Sequence, residues 1–148
     1  MSSLVILAVG KVKERGLRDA IDDYARRIER HFPLEEVEVR DAPEPQLLAA
    51  LEKKLQHPAH LVALDVGGRS MTSDAFARWL ASRTTQGKGK VVFVIGGADG
   101  LPPQLIARAD ERLSLSAMTL PHRLARLVLV EQLYRAVTIL RGEPYSRM

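Results

Sequence analysis

The run Val91-Val-Phe-Val-Ile95 contains no polar residue and stops abruptly at Gly96-Gly97. Successive side chains of a strand point to opposite faces, so a strand of this composition is apolar on both and has to be covered on both. The architecture that does this is a parallel sheet with helices above and below. The remainder of the chain fits that demand, because apolar runs alternate with amphipathic stretches as in an α/β domain with a mainly parallel sheet. Strands are expected at Leu4 to Val9, about Leu34 to Arg40, His60 to Leu64, Lys90 to Ile95 and about Arg112 to Leu115. The stretch from about Gly16 to His31 places Leu17, Ala20, Ile21, Tyr24, Ala25 and Ile28 on one face of a helix. Further helices are expected from about Pro45 to Gln56 and from Ser73, a natural N-cap, to about Arg83, with Phe76, Ala77 and Leu80 inward.

At 148 residues the chain is expected to form one domain, residues 1–148, large enough for a core without staples. The loop signals at Asp41-Ala-Pro-Glu-Pro and Thr84 to Lys90, the latter with Gly87 and Gly89, are too short to divide it. No apolar run approaches the roughly 18 residues of a membrane span. MSSLVILAVG has no basic leader and no small-residue cleavage site, so it is read as a first strand and the protein as cytoplasmic. The absence of cysteine removes disulfides and thiolate chemistry, and His31, His57, His60 and His122 lack the spacing of a zinc site, so no metal is expected.

The net charge of +4 is unevenly placed. Residues 121–148 hold Arg123, Arg126, Arg135, Arg141 and Arg147 against Glu131 and Glu143, and Lys11, Lys13, Arg15 and Arg18 follow the first strand. Basic stretches of this kind fit a polyanion, nucleic acid first, through release of counterions from phosphates; a plain solvated surface is the alternative.

Chemistry is most readable from Phe93 to Ala136. Ligands of open α/β sheets bind at the carboxyl ends of strands, where Gly96, Gly97 and Gly100 can expose backbone and Leu101-Pro102-Pro103 opens the next helix. The pattern GGADG is not a dinucleotide fingerprint, because no acid follows about 20 residues later to hold a ribose. Leu64-Asp65-Val66-Gly67-Gly68 repeats the strand-to-glycine logic, and Asp65 can accept from ligand hydroxyls or order its own loop. Ser114 to Pro121 is a compact loop able to enclose a flat apolar ring while its backbone reads the ring's polar edge, with Thr119 a candidate cap of the last helix. His122 and Arg126 share a face at the cationic start of that helix, a costly placement that calls for a partner such as a phosphate. Glu131 and Arg135 form an ordinary i, i+4 pair. From about Pro121 to Leu140 the helix is apolar almost all round, as expected of a subunit interface in a small two-fold dimer or of a central core helix.

Taken together, LDVGG, FVIGGADG, SLSAMTLPHRLAR, EQLYRA and the terminal GEPYSRM closely resemble the RlmH family of ribosomal RNA large-subunit methyltransferases, within the SPOUT superfamily; VGK and the YARRI helix extend the likeness over nearly the whole chain. The resemblance implies an α/β knot whose C-terminal segment makes a deep trefoil. It implies S-adenosylmethionine as cofactor, held by Leu64, Asp65, Gly96, Gly97, Gly100, Leu115, Ser116, Ala117, Met118, Thr119, Leu120 and Pro121. It implies a homodimer packed through the last helix, and methylation of N3 of a pseudouridine in a 23S rRNA stem-loop of the assembled 70S ribosome. His122, Arg126 and Tyr145 become the candidate catalytic residues, with Lys11, Lys13, Arg123, Arg135 and Arg147 toward RNA. One departure stands at the tail, where Ser146 replaces the histidine of the family's Pro-Tyr-His ending. A module of the same fold that binds RNA or the ribosome without catalysis is the alternative this raises.

Overall fold

The computed structural model describes residues 2–85 and 89–147. Five strands, β1 (Ser3–Val9), β2 (Leu34–Val39), β3 (Ala59–Ser70), β4 (Lys90–Ile95) and β5 (Glu111–Ser114), form one sheet in the order β2-β1-β4-β3-β5, parallel throughout. Helices α1 (Arg15–Glu29), α2 (Glu44–Lys54), α3 (Ser73–Thr85), α4 (Pro103–Arg108) and α5 (His122–Arg141) complete the domain, and a short 3-10 turn, Pro144–Arg147, closes it. Gly87 lies outside the described residues.

Alternation along β1 builds two cores at once. Leu4, Ile6 and Ala8 face α1, α3 and α5, where Ile21, Ile28, Phe76, Leu80, Leu129 and Leu133 are buried with Phe93. Val5, Leu7 and Val9 face α2 and α4, meeting Leu47, Leu51, Leu101 and Leu105. Each such side chain contributes roughly 1.5–3 kcal/mol by leaving water. The strand at Val91–Ile95 is buried at all five positions, as its composition requires.

Three local details differ from the sequence reading. Strand β3 does not end at Leu64 but runs to Ser70, because Leu113 of β5 pairs first with Leu64 and again with Arg69 across an irregularity that contains Gly67-Gly68. The cap of α3 is Thr72, whose hydroxyl accepts from the Ala75 N–H at 3.0 Å, while Ser73 donates to Gln132 of α5 at 2.7 Å. Helix α5 is preceded by Pro121 and carries no side-chain cap, so Thr119 does not play that part.

The β5 edge is tied to α3 through one carboxylate. Glu111 accepts from Arg83 Nε at 2.8 Å and from Trp79 Nε1 at 3.0 Å, and meets His60 Nε2 at 2.5 Å. Burial alone would push its carboxyl up, but the hydrogen bonds from Arg83, His60 and Trp79 outweigh burial and hold it at about 2.

Candidate functional site

All five strands point their carboxyl ends to one edge of the sheet, and a cavity of about 750 Å³ opens there. Its size suits a cofactor-sized ligand. The middle of β3 supplies Leu64, Asp65 and Val66; Ile95 ends β4 and the turn after it supplies Gly96 to Leu101; β5 supplies Leu113, and the loop after it Leu115, Ser116 and Met118 to Pro121. Ile106 of α4 and His122, Arg123 and Ala125 of α5 close it.

The glycine wall is built by close approach. Neither Gly96 nor Gly97 has positive φ, but a Cβ on Gly96 would stand 2.5 Å from the carbonyl carbon of Gly100 and 2.7 Å from the amide of Leu101. Here the chain doubles back tightly, with the Gly100 N–H donating to the Gly97 carbonyl at 3.0 Å. The opposite wall organises itself through its serines. Ser114 Oγ donates to the Ser116 carbonyl at 3.0 Å, and Ser116 Oγ accepts from the Met118 N–H at 3.0 Å. Between these walls the lining is mainly aliphatic, with Asp65 and Asp99 as its carboxylates. Asp65 is paired with Arg112 at 3.0 Å. Half-buried His122 lines the cavity and keeps a buried Nδ1 with no hydrogen-bond partner in the protein, an arrangement that a bound polar group can relieve.

The cavity thus offers bare backbone, an aliphatic slot, carboxylates and an imidazole, a combination able to hold a flat heterocycle with a polar edge. A family model described as "Predicted SPOUT methyltransferase" matches residues 2–146. The chain belongs to the SPOUT methyltransferases. Among its relatives, the ribosomal RNA large subunit methyltransferase H of Sorangium cellulosum is 52% identical over 143 residues, covering 97% of this chain and 98% of that protein. The enzyme of the same name from Gemmatimonas aurantiaca is 44% identical over 153 residues, 97% of this chain and 99% of the relative. Two solved structures share the fold at low identity. A probable methyltransferase from Bordetella pertussis has a TM-score of 0.60 at 16% identity, covering 92% of this chain and 96% of that one. A probable methylase family protein from Haemophilus influenzae has 0.60 at 14%, covering 97% and 70%.

In this methyltransferase the residues expected around the cofactor lie along the cavity, with the exception of Ala117, which is exposed and does not line it. Sequence reasoning missed Val66, Asp99 and Ile106; Asp99 stood in view inside GGADG, whereas Ile106 gave no signal beyond its helical spacing.

The three candidate catalytic residues do not converge in one chain. Arg126, expected to face a phosphate, is buried, and its partners are carboxylates: Nη1 donates to Glu36 at 2.8 Å and to Glu38, and Nη2 to the Gly10 carbonyl at 3.0 Å. The cost of a cation at the start of α5 is met from inside the protein. Tyr145 donates its hydroxyl proton to Glu131 at 2.7 Å and accepts from Tyr24 at 3.1 Å. Burial, then the contacts with Tyr24 and Glu131, hold its phenol well above its ordinary range, so it stays neutral. Nine residues of helix, about 14 Å, separate Glu131 from His122. Tyr145 therefore sits away from the cavity of its own chain, and His122 is the only one of the three that lines it.

The cations expected toward RNA divide likewise. Lys11 and Lys13 are exposed just beyond β1, and Arg123, which lines the cavity, pairs with Glu14 at 2.5 Å. Arg135 pairs with Glu131 at 2.9 Å and lies over the Tyr145 ring, and Arg147 is exposed in the closing turn. Among the described residues no helix is long and apolar enough to cross a membrane, and no group of three or more side chains could hold a metal ion.

Proposed function

We propose that the chain acts as a homodimer that transfers the methyl group of S-adenosylmethionine to N3 of a pseudouridine in a 23S rRNA stem-loop of the assembled 70S ribosome, in the cytoplasm. The observation that carries this reading is the cavity at the strand ends, bounded by the Gly96 to Leu101 turn and by the Leu115 to Pro121 loop. Its residues fit the cofactor: Leu101, Leu115 and Leu120 can flank the adenine, backbone along Gly96-Gly97 can read its edge, and Asp65 and Asp99 can accept from ribose hydroxyls. When bound, the sulfonium supplies an activated methyl, so the protein's task is to align nitrogen with methyl and let the N3 proton leave. His122 is assigned to the reacting end, since it lines the cavity and its buried Nδ1 lacks a protein partner. Lys11, Lys13 and Arg123 lie at the same end and are assigned to phosphates.

Dimerisation is supported by exposed apolar side chains around the cavity and α5. Met118 is 77% exposed, Val66 51% and Leu124 36%, surface that a second copy would cover. We read the chain path as the trefoil for a related reason. After β5 the loop Leu115 to Pro121 runs along the cavity at the strand ends before α5, which packs with α1 and α3 on the opposite face from α4, a path compatible with the trefoil of the family.

Purified protein should transfer labelled methyl to ribosomes from a strain lacking the modification. Absence of transfer to both 70S particles and free 50S subunits sinks the reading, and calorimetry without S-adenosylmethionine binding would favour a non-catalytic ribosome-binding module.

A further inference from the structure

Arg126 is among the largest fully buried side chains of the protein, 1% exposed in a helix whose other buried residues are apolar apart from Thr138. A guanidinium there needs hydrogen-bond partners: Nη1 and Nη2 find Glu36, Glu38 and the Gly10 carbonyl, while the buried Nε has none in the protein. Well-packed apolar side chains often hold such a position as firmly as an ion cluster does, so stability alone does not account for it. What the cluster fixes is a place. Gly10 follows β1 with φ +88°, and a Cβ on it would stand 3.7 Å from Cε1 of His122. The imidazole thus lies on the side of Gly10 toward which a Cβ would point, and the Gly10 carbonyl is gripped by Arg126, one turn further along α5. The carboxylates that hold Arg126 are themselves restrained, since Arg18 of α1 binds Glu36 at 2.5 and 3.1 Å and lies 3.7 Å from Glu38.

We infer that Arg126, oriented by Glu36 and Glu38, is a positioning residue for methyl transfer: it clamps the backbone after β1 to the first turn of α5 and so fixes the His122 ring in the cavity. The inference rests on the proposed place of His122 at the reacting end. It assigns the paired acids of β2, which never reach the cavity, a part in the geometry of the site.

The test uses the full chain. Glu38→Gln keeps an oxygen acceptor for Arg126 but removes a charge, and Arg126→Lys keeps the charge but removes the fork. The His122 ring is followed by nuclear magnetic resonance, its signals assigned by their loss in His122→Gln, beside kcat and KM on 70S ribosomes. In both variants the ring signals should shift or broaden, kcat should fall about tenfold or more, and KM for S-adenosylmethionine should change by less than about threefold. Adding Glu38→Gln to His122→Gln should then cost little beyond His122→Gln alone. Unmoved ring signals with unchanged kcat in folded Glu38→Gln overturn the inference, as does full additivity of the two substitutions. Should Arg126→Lys not fold, Glu38→Gln decides alone. If the parent protein methylates no ribosomal particle, the proposed function fails separately, and the ring signals still decide whether the clamp holds His122.

Discussion

Replacing Gly96 by alanine probes the cavity wall directly. The added Cβ would lie 2.5 Å from the Gly100 carbonyl carbon, 2.7 Å from the Leu101 amide and 2.9 Å from the Gly100 Cα, all of them backbone. Ordinary contact begins near 3.4 Å, so the Gly100-Leu101 segment must retreat by roughly 1 Å. Overpacking of this kind costs about 1–3 kcal/mol, and losing the Gly100 to Gly97 hydrogen bond adds about 1 kcal/mol. The combined loss of about 2–4 kcal/mol corresponds to a fall in Tm of about 4–16 °C for a chain of this length. Because the displaced segment is the wall, affinity for S-adenosylmethionine should fall at least about tenfold, which takes only about 1.4 kcal/mol. Gly16→Ala is the matching control. Nothing lies within 4 Å of its Cβ position in the first turn of α1, so alanine there should stabilise by about 0.5–1 kcal/mol. Thermal unfolding and calorimetry measure both variants. A Gly96→Ala protein that melts within about 1 °C of the parent and binds S-adenosylmethionine as tightly would refute the close-approach argument.

Other expectations follow from the charge clusters and the exposed rim. Arg126→Met leaves the partly exposed Glu36 and Glu38 with Arg18 as their remaining partner, so the loss should be about 2–4 kcal/mol in urea denaturation, toward the low side of the range for a fully buried pair; a loss under about 0.5 kcal/mol contradicts the cluster. Glu111, held at about 2 in the folded protein against an ordinary 4.5, contributes stability that is complete above about 4.5 and disappears as pH falls toward 2. Glu111→Gln should therefore flatten the acid limb of the urea midpoint against pH in that window, and an unaltered limb would count against it. Met118→Glu combined with Leu124→Glu places charges on exposed sites, so the fold should survive while sedimentation shows monomers; an intact dimer moves the interface elsewhere.

Much of the fold was legible because its signals are local. The apolar run ending at Gly96-Gly97 located the central strand and the cavity together, and the spacing of Ile21, Tyr24 and Ile28 oriented α1. Features set by distant partners were not. Strand β3 passes Leu64 because Leu113, 49 residues later, pairs a second time with Arg69, and a turn-like Val66-Gly67-Gly68 gives no hint of that. The partner of Arg126 was misjudged for the same reason: Glu36 and Glu38 lie 90 and 88 residues away. A trace of it was present, since Glu-Val-Glu puts two acids on one face of a strand whose neighbour there is apolar, and Arg126 interrupts an otherwise apolar stripe. The place of Tyr145 was not legible either, because the motifs holding it and His122 lie at opposite ends of a 20-residue helix that carries the tail away from the cavity of its own chain.

The most direct test of the account is mass spectrometry of 23S rRNA from 70S ribosomes incubated with this protein and S-adenosylmethionine, the ribosomes coming from a strain that lacks the modification. One added methyl on the base of a single pseudouridine, lost with His122→Gln, is the predicted result. Ribosomes that remain unmethylated as 70S particles and as free 50S subunits, with protein that binds S-adenosylmethionine, would contradict it.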